Sequence, residues 1–492
     1  MEFMIPLNGR DNVPLYQQIY NYIKEEIRSA GLPARMRVPS TRALADQLKV
    51  SRSTAQMAYE QLMSEGYIEA VPWKGYYVCD IESMGGPESG KRLAVCEFKT
   101  AGSGCAAGEA NPADMGTEKV KTRRELSPPA VDFSPRGIDL GSFPFSVWRK
   151  LSRNTLVDDN REIFSSGDPQ GEKKLRQAIG AYLHGARGVV CDPEQIVVGA
   201  GSEYLLMLLV QILSWPGAIA MENPTYRQAY RVFESLDCQV VPVPMDGSGM
   251  RVDALRQTRA DIAYVMPSHQ YPTGVIMPVK RRQEILSWAG ERAGRYVIED
   301  DYDSEFRYRG KPIPALQGMD GEGRVIYIGT FSKSVAPAIR VGYMVLPPAL
   351  LDCYRRRMRF YSSTVSRIDQ EVLWQFMDGG YYERHLNRMR AVYRNKHDRL
   401  MAELKGFENE FEIRGENAGL HVLLTHRGGR SEEELISLAA GRGIRVYALS
   451  DCYISEKGAG APAGSTVILG YANLSEEEIA RGIAALKEAW KE

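Results

Sequence analysis

The side chains best placed for chemistry lie in the segment TFSKS, where Lys333 stands among Thr330 and Ser332 and Arg340 follows seven residues after the lysine. An amine is a nucleophile only when neutral, and partial burial favours that form. Hydroxyls suit a phosphate, and so does a guanidinium, which can bond two oxygens at once. Asp300, in the acidic run EDDYD, supplies a carboxylate. Gly201-Ser202 opens a predicted helix, EYLLMLLVQIL, whose free N–H groups and positive dipole end favour an anion.

These residues need elements that bring them together. Five apolar runs precede the polar segments: Ile196-Val197-Val198 before GAGS, Ala218 to Met221 before ENPTY, Ile262 to Met266 before PSHQYPTG, Tyr296-Val297-Ile298 before EDDYDSEF, and Val325 to Ile328 before GTFSKS. Each reads as a buried parallel strand. In an open α/β sheet, ligands bind beyond the C-terminal strand ends. A lysine, an acid and a phosphate cradle converging there fit pyridoxal phosphate. The lysine forms a Schiff base with its aldehyde, and the carboxylate keeps the ring nitrogen protonated. Each signal alone is weak, because a single Lys is usually a solvated surface group. Together, and in this order, they are specific.

The chain has 492 residues, 44% of them hydrophobic and 25% charged, which is a globular composition of more than one domain. Lys+Arg and Asp+Glu both number 62, so any nucleic-acid contact must be local. The seven cysteines are scattered without a CxxC pair, as expected of reduced thiols. No His cluster suggests a metal. No apolar run is long enough to span a bilayer and no signal peptide is evident, so a cytoplasmic protein is expected. Composition divides the chain into 1–79, a Gly/Ser/Pro-rich linker at 80–130, and an α/β unit at 131–492 with a small lobe from about 350.

In the first zone, Leu15, Ile19, Tyr22, Ile23 and Ile27 share one helix face. Ser40 caps a second helix carrying Leu44 and Leu48, and Ser51 caps a third carrying Ala55, Ala58, Tyr59 and Leu62. Tyr67 to Val71 and Tyr76 to Val78, split by Pro72-Trp73-Lys74-Gly75, read as a two-stranded wing. Helix, turn, helix and wing form a DNA-reading module. The third helix offers Ser51, Arg52, Ser53, Thr54 and Gln56 to bases and phosphates. Arg42 lies where the DNA backbone passes, and Lys74 and Gly75 form the wing tip. A helical interaction module with solvated charges is the plainer alternative, and nine Lys+Arg against eight Asp+Glu in this zone give no general basic field.

The ordered segments decide between them. RVPSTRALADQLKVSRSTAQMAYEQLMSEGYIEAVPWKGYYV closely resembles the GntR family of bacterial regulators, with Val38 in place of a common Leu and an unusual wing tip. GDPQGEKKLRQAIGAYL, GAGSEYLL, ENPTY, PSHQYPTG, EDDYDSEFRY, TFSKSVAPAIRVGY and AGLHVLL resemble the fold type I aminotransferases, and more closely the aminotransferase-like half of the MocR regulators, a GntR subfamily. That resemblance implies Lys333 as the cofactor lysine and Asp300 as the ring-nitrogen partner, with Asp301 as the alternative. It implies Tyr302 on the phenolic oxygen, Tyr226 stacked on the ring, and Gly201, Ser202, Thr330, Ser332 and Arg340 on the phosphate. His269 and His421 are read as supports rather than general bases. It also implies a head-to-tail homodimer on operator DNA.

Two departures matter. HQYPTG places Tyr271 where aminotransferases commonly have Asn, and TVILGY places Ile468 where they often have a carboxylate-binding Arg. Ile cannot pair with a carboxylate, and leaving one buried and unpaired is costly. Arg153, Arg231 and Arg445 are the substitutes considered. The reading is therefore a DNA-binding regulator that senses pyridoxal phosphate, or an amino acid or amine joined to it, with at most residual transamination. An aminotransferase with an accessory DNA module is the alternative, and a scaffold without cofactor is a third.

Overall fold

A computed structural model describes residues 5, 14–28, 31–33, 35–64, 67–71, 74–78, 129–157, 160–214, 217–307, 314–358, 360–415, 419–454 and 464–491. The expected linker, 80–130, lies outside the described residues except for its last two.

The N-terminal unit begins with α1 (Leu15–Arg28), which buries Ile19, Tyr20, Ile23 and Ile27. A short strand, β1 (Arg37–Val38), leads to α2 (Thr41–Leu48), where Ser40 Oγ accepts from the Ala43 amide at 3.2 Å. Helix α3 (Arg52–Ser64) is capped by Ser51, whose Oγ accepts from the Thr54 amide at 3.1 Å. Each cap satisfies an amide that the helix leaves without a partner. Ala55, Ala58, Tyr59 and Leu62 face the core as expected. Strands β2 (Ile68–Val71) and β3 (Gly75–Val78) form the wing hairpin. The expected two-stranded wing is a three-stranded sheet, because β1 pairs antiparallel with β3, Arg37 opposite Tyr77. Two residues are too few to show a strand's alternation, so only the pairing reveals β1.

The C-terminal unit starts with β4 (Val131–Asp132), α4 (Phe145–Thr155), α5 (Lys173–Arg187), β5 (Ile196–Gly199), α6 (Ser202–Ile212), β6 (Ala218–Asn223) and α7 (Arg227–Ser235). It continues through β7 (Gln239–Asp246), β8 (Gly249–Met250), α8 (Val252–Gln257), β9 (Ile262–Val265), α9 (Val279–Gly290), β10 (Tyr296–Asp301), β11 (Val325–Thr330) and β12 (Gly342–Val345). After α10 (Pro348–Arg357), α11 (Arg367–Asp378) and α12 (Tyr381–Leu404) come β13 (Phe411–Arg414), β14 (His421–His426) and α13 (Glu432–Gly441). The chain ends in β15 (Ile444–Arg445), β16 (Tyr447–Ala448), β17 (Thr466–Gly470) and α14 (Glu476–Lys491).

The large sheet runs β5-β12-β11-β10-β9-β6-β7-β8. From β11 to β7 every pairing is parallel, while β12 runs antiparallel to both β11 and β5. The five expected strands therefore share one direction and end at one edge. Strand β12 is as apolar as its neighbours, and an apolar run encodes burial, not direction. Apolar layers cover both faces: Leu205, Leu209 and Phe233 on one, Leu175, Ile179 and Tyr343 on the other.

A second, antiparallel sheet, β13-β14-β17-β16, packs with α12, α13 and α14 around Leu404, Val422, Leu424, Leu469 and Ile483. The expected boundary of this small lobe, about 350 onward, needs correction at both ends. Strand β4 pairs with β15, and Val131 and Phe133 enter the lobe's core, so the unit's first residues belong to it. Helix α11, in contrast, buries Val372, Leu373 and Phe376 against the large sheet's layer. Burial partners, not chain order, decide membership of a core. Among the described residues no helix is long and apolar enough to cross a membrane.

Candidate functional site

Strand register brings the phosphate candidates together. Gly199 on β5 lies opposite Gly342 on β12, and Gly342 lies opposite Thr330 on β11. Gly201, with φ 91° and ψ 173°, turns the chain into α6, whose first residue is Ser202. That backbone region is essentially open to glycine only. A Cβ at Gly201 would land 2.5 Å from Arg340 Nη2. Arg340 Nη2 donates to the Ala200 carbonyl at 3.3 Å and to Glu203 Oε2 at 2.8 Å. Burial pushes the Glu203 carboxyl up, yet the Arg340 hydrogen bond and charge hold it below the usual range. Thr330 Oγ1 donates to Ser332 Oγ at 2.9 Å and accepts from the Ser332 amide at 3.1 Å.

At the centre of the same edge, β10 ends in two buried acids with different partners. Asp300 accepts from the Tyr264 hydroxyl. Burial pushes its carboxyl up to about 7, with Asp301 and Asp303 adding to the rise and the Tyr264 hydrogen bond opposing it. Asp301 is committed elsewhere, to Arg187 Nε at 2.9 Å and the Tyr327 hydroxyl at 2.6 Å. Of the two, Asp300 is therefore the acid not tied up in an ion pair. Lys333 Nζ donates to the Pro135 carbonyl at 3.2 Å. Burial brings this amine down to about 8, with Asp303 pulling upward and the Arg136 charge pushing further down. A substantial fraction is then neutral near physiological pH, the form in which an amine attacks a carbonyl.

Aromatic rings line the space beside these groups. Tyr226, at the start of α7, and Tyr271 meet edge to face at 5.9 Å, and Tyr271 meets Tyr302 at 6.1 Å. Burial moves the Tyr226 hydroxyl up to about 12, with Glu203 and Asp300 adding to it and Arg136 and Arg340 opposing. Tyr226 thus lies within electrostatic reach of both the Arg340 end and the Asp300 end. The Tyr302 hydroxyl, expected to face a cofactor oxygen, is 3.0 Å from His269 Nδ1, which also bonds Asp303 at 3.0 Å. His421 bonds the Pro272 carbonyl at 2.8 Å, and burial lowers it to about 4. Ile468 is buried with Leu423 and Cys452, and Tyr271, Tyr447 and Leu449 pack on them.

These residues fit pyridoxal phosphate. Gly201 leaves the room beside Arg340 that a Cβ would fill, and the donor set combines a suppressed amine with a buried, unpaired acid. Sequence reasoning missed Arg136. It lies directly after Pro135, in a segment with no periodicity, and its charge bears on Lys333, Tyr226 and Tyr271. Among the described residues, no group of three or more His, Cys, Asp and Glu is placed to hold a metal ion.

On the N-terminal unit, Arg42, Arg52, Ser53, Gln56 and Lys74 are exposed. Ser51 is engaged as the α3 cap and also bonds the Ser53 and Thr54 hydroxyls at 2.7 Å, leaving Thr54 half-buried. Gln56 donates to Glu60 at 2.9 Å. Gly75, with φ 104°, turns the wing tip against the exposed Arg37, a cation that sequence reasoning did not single out.

Comparison with known proteins matches two stretches of the chain. Residues 15–78 match the bacterial regulatory proteins of the gntR family, and residues 139–486 match the class I and II aminotransferases. The chain is 39% identical to the uncharacterized HTH-type transcriptional regulator YhdI of Bacillus subtilis, over 98% of this chain and 97% of that one. It is 32% identical to the probable rhizopine catabolism regulatory protein MocR of Rhizobium meliloti, over 99% and 96% of the two chains. Among solved structures, kynurenine aminotransferase of Pyrococcus horikoshii, crystallised with PMP, aligns at TM-score 0.64 and 26% identity, over 73% of this chain and 90% of that one.

Proposed function

The chain belongs to the class I and II aminotransferase family and, through its N-terminal unit, to the gntR family of bacterial regulatory proteins, and from that premise we propose that its hold on operator DNA depends on what fills a pyridoxal phosphate site. The protein is a DNA-binding transcription regulator of the MocR kind, with the gntR-type unit as its DNA-binding part. One observation carries the sensing reading: a suppressed lysine amine, a buried unpaired carboxylate and a glycine-spaced arginine cradle share a chain with a DNA-reading helix.

When bound, pyridoxal phosphate supplies an aldehyde that condenses with amines and a ring that withdraws electrons. Lys333 would hold it covalently, Asp300 would keep a proton on the ring nitrogen, and Tyr226 would cover a ring face. Gly201, Ser202, Thr330, Ser332 and Arg340 would hold the phosphate, and Tyr302 would serve the phenolic oxygen. Among the described residues only Nη2 of Arg340 is engaged, with Glu203 and Ala200, so its other N–H groups would be the ones to meet the phosphate. The exposed Arg42, Arg52, Ser53, Gln56 and Lys74 would meet DNA, with Ser51 and Thr54 fixing the helix start and Gly75 the wing.

The chain divides as 1–79 for DNA, 80–130 as linker, and 131–492 for the effector. The working form is a head-to-tail homodimer in the cytoplasm. Leu140, Phe145, Phe164 and Phe360 are all at least 60% exposed, which is apolar surface of the kind a second copy covers. An amine or amino acid that displaces Lys333 from the cofactor would change the relative placement of the two DNA units. That is regulation only if the two placements bind the effector with different affinity.

The test titrates a labelled fragment of the gene's own upstream region with wild type and Lys333→Ala, at several salt concentrations. Affinity that falls with salt, a yellow wild type and a colourless variant are expected. A flat salt response removes the DNA role, and a wild type that stays colourless after adding pyridoxal phosphate removes the sensing site.

A further inference from the structure

An aminotransferase-like site usually receives an acid, yet the position where such proteins often carry a carboxylate-binding arginine is Ile468, sealed among Leu423, Cys452 and Tyr271. A carboxylate there would meet hydrocarbon and lose its solvation without return. The other arginines at hand are engaged. Arg187 pairs with Asp301 at 2.9 Å and Arg340 with Glu203 at 2.8 Å, and Arg445 pairs with Asp132 at 3.5 Å. Arg153 and Arg231 are exposed on α4 and α7.

Arg136 differs from all of these. Its backbone is fixed beside Lys333. The Pro135 carbonyl receives Lys333 Nζ at 3.2 Å, the Phe133 carbonyl receives the Gly470 amide at 2.9 Å, and the Gly137 amide closes a turn on Ser134 at 3.2 Å. Gly470 has no room for a Cβ, which would land 2.5 Å from Pro135 Cα, so this segment lies flush on β17 two residues past Ile468. The Arg136 side chain is exposed, and among the described residues it makes no hydrogen bond or ion pair. Its charge is felt by Lys333, Tyr226, Tyr271, Cys452 and Glu203, groups from five segments of the chain.

We propose that Arg136 is the specificity-determining residue of the effector site, a guanidinium that holds the carboxylate of an amino acid whose amine is directed at the cofactor beside Lys333. The inference rests on the pyridoxal phosphate reading above. It names the effector class as an amine bearing a carboxylate, and it moves the acid-binding group from the small lobe's central strand to the segment that enters the site before α4. A guanidinium with unengaged N–H groups can donate to both oxygens of a carboxylate at once, and a plain amine brings no such acceptor.

The test compares L-alanine with ethylamine, the same molecule without its carboxylate. Full-length protein loaded with pyridoxal phosphate is titrated with each, following the cofactor's visible band, for wild type, Arg136→Gln, Arg136→Lys and Arg445→Gln. The readout is the ratio of the two half-saturation concentrations. Any effect of Arg136 on Lys333 is common to both ligands and cancels in that ratio. Wild type should prefer alanine by about tenfold or more, the size expected for one charge-assisted pair. Arg136→Gln should bring the ratio near one, Arg136→Lys should keep part of the preference, and Arg445→Gln should match wild type. A wild type that treats the two ligands alike overturns the proposal, and so does an Arg136→Gln protein that keeps the preference. Loss of the preference in Arg445→Gln assigns the role to that residue instead. A visible band present in wild type but absent in Arg136→Gln places Arg136 on the cofactor and overturns the proposal. A wild type with no band at all fails the cofactor reading first, and this one with it.

Discussion

The Lys333 amine should react with pyridoxal phosphate far faster at neutral pH than an ordinary lysine does. Burial brings it from 10.5 to about 8. At a pH of about 7.5, an amine that titrates at 10.5 is neutral roughly one time in a thousand. One that titrates at about 8 is neutral roughly one time in four, a gain of about two hundredfold in the attacking form. The assay mixes cofactor-free protein with pyridoxal phosphate in a stopped-flow instrument and records the rise of the visible band across pH. The rate should climb with pH and level off above about 8. Arg136→Gln removes a positive neighbour that favours the neutral amine, so its midpoint should move upward. A midpoint near that of free lysine would refute the argument from burial. A midpoint that moves downward in Arg136→Gln would refute the placement of that charge beside the lysine.

Gly201→Ala should cost about 1–3 kcal/mol of backbone strain and displace Arg340, lowering both the melting temperature and the affinity for pyridoxal phosphate; unchanged values in both would show that the turn is not the cradle. Arg187→Met leaves Asp301 buried without its cation, so urea unfolding should register a loss of about 3–5 kcal/mol. Arg445→Gln, at a largely solvated pair, should stay within about 1 kcal/mol of wild type in the same assay. Ser51→Ala should lower the stability of the N-terminal unit by about 1 kcal/mol, seen as earlier exchange of the α3 amides. Arg52→Ala should leave that exchange alone and instead reduce the salt slope of DNA binding by about one.

Short-range rules made much of this protein legible. The Ser40 and Ser51 caps, the buried faces of α1 and α3, and the five strands that end at the site all follow from spacing that a reader can count. Their physics is local: a cap bonds an amide three residues on, and helix or strand periodicity turns apolar side chains to one side. The same holds for the chemical types at the site. Lys333 and Asp300 stand out because an amine and an acid follow runs that can only be buried.

Sequence by itself thus determined the elements, the two functional halves and the candidate reactive groups. Only tertiary structure decided direction, partnership and charge state. It alone put β12 antiparallel between β5 and β11, carried Val131 and Phe133 into the small lobe, and added β1 to the wing. It separated Asp300 from its neighbour Asp301 by binding the latter to Arg187, a residue far away in the chain. It also set Arg136, one more charge in an aperiodic stretch, next to the lysine. The reason is that hydropathy records how much water a residue will lose, while pairing, field and reach depend on which distant residues arrive beside it.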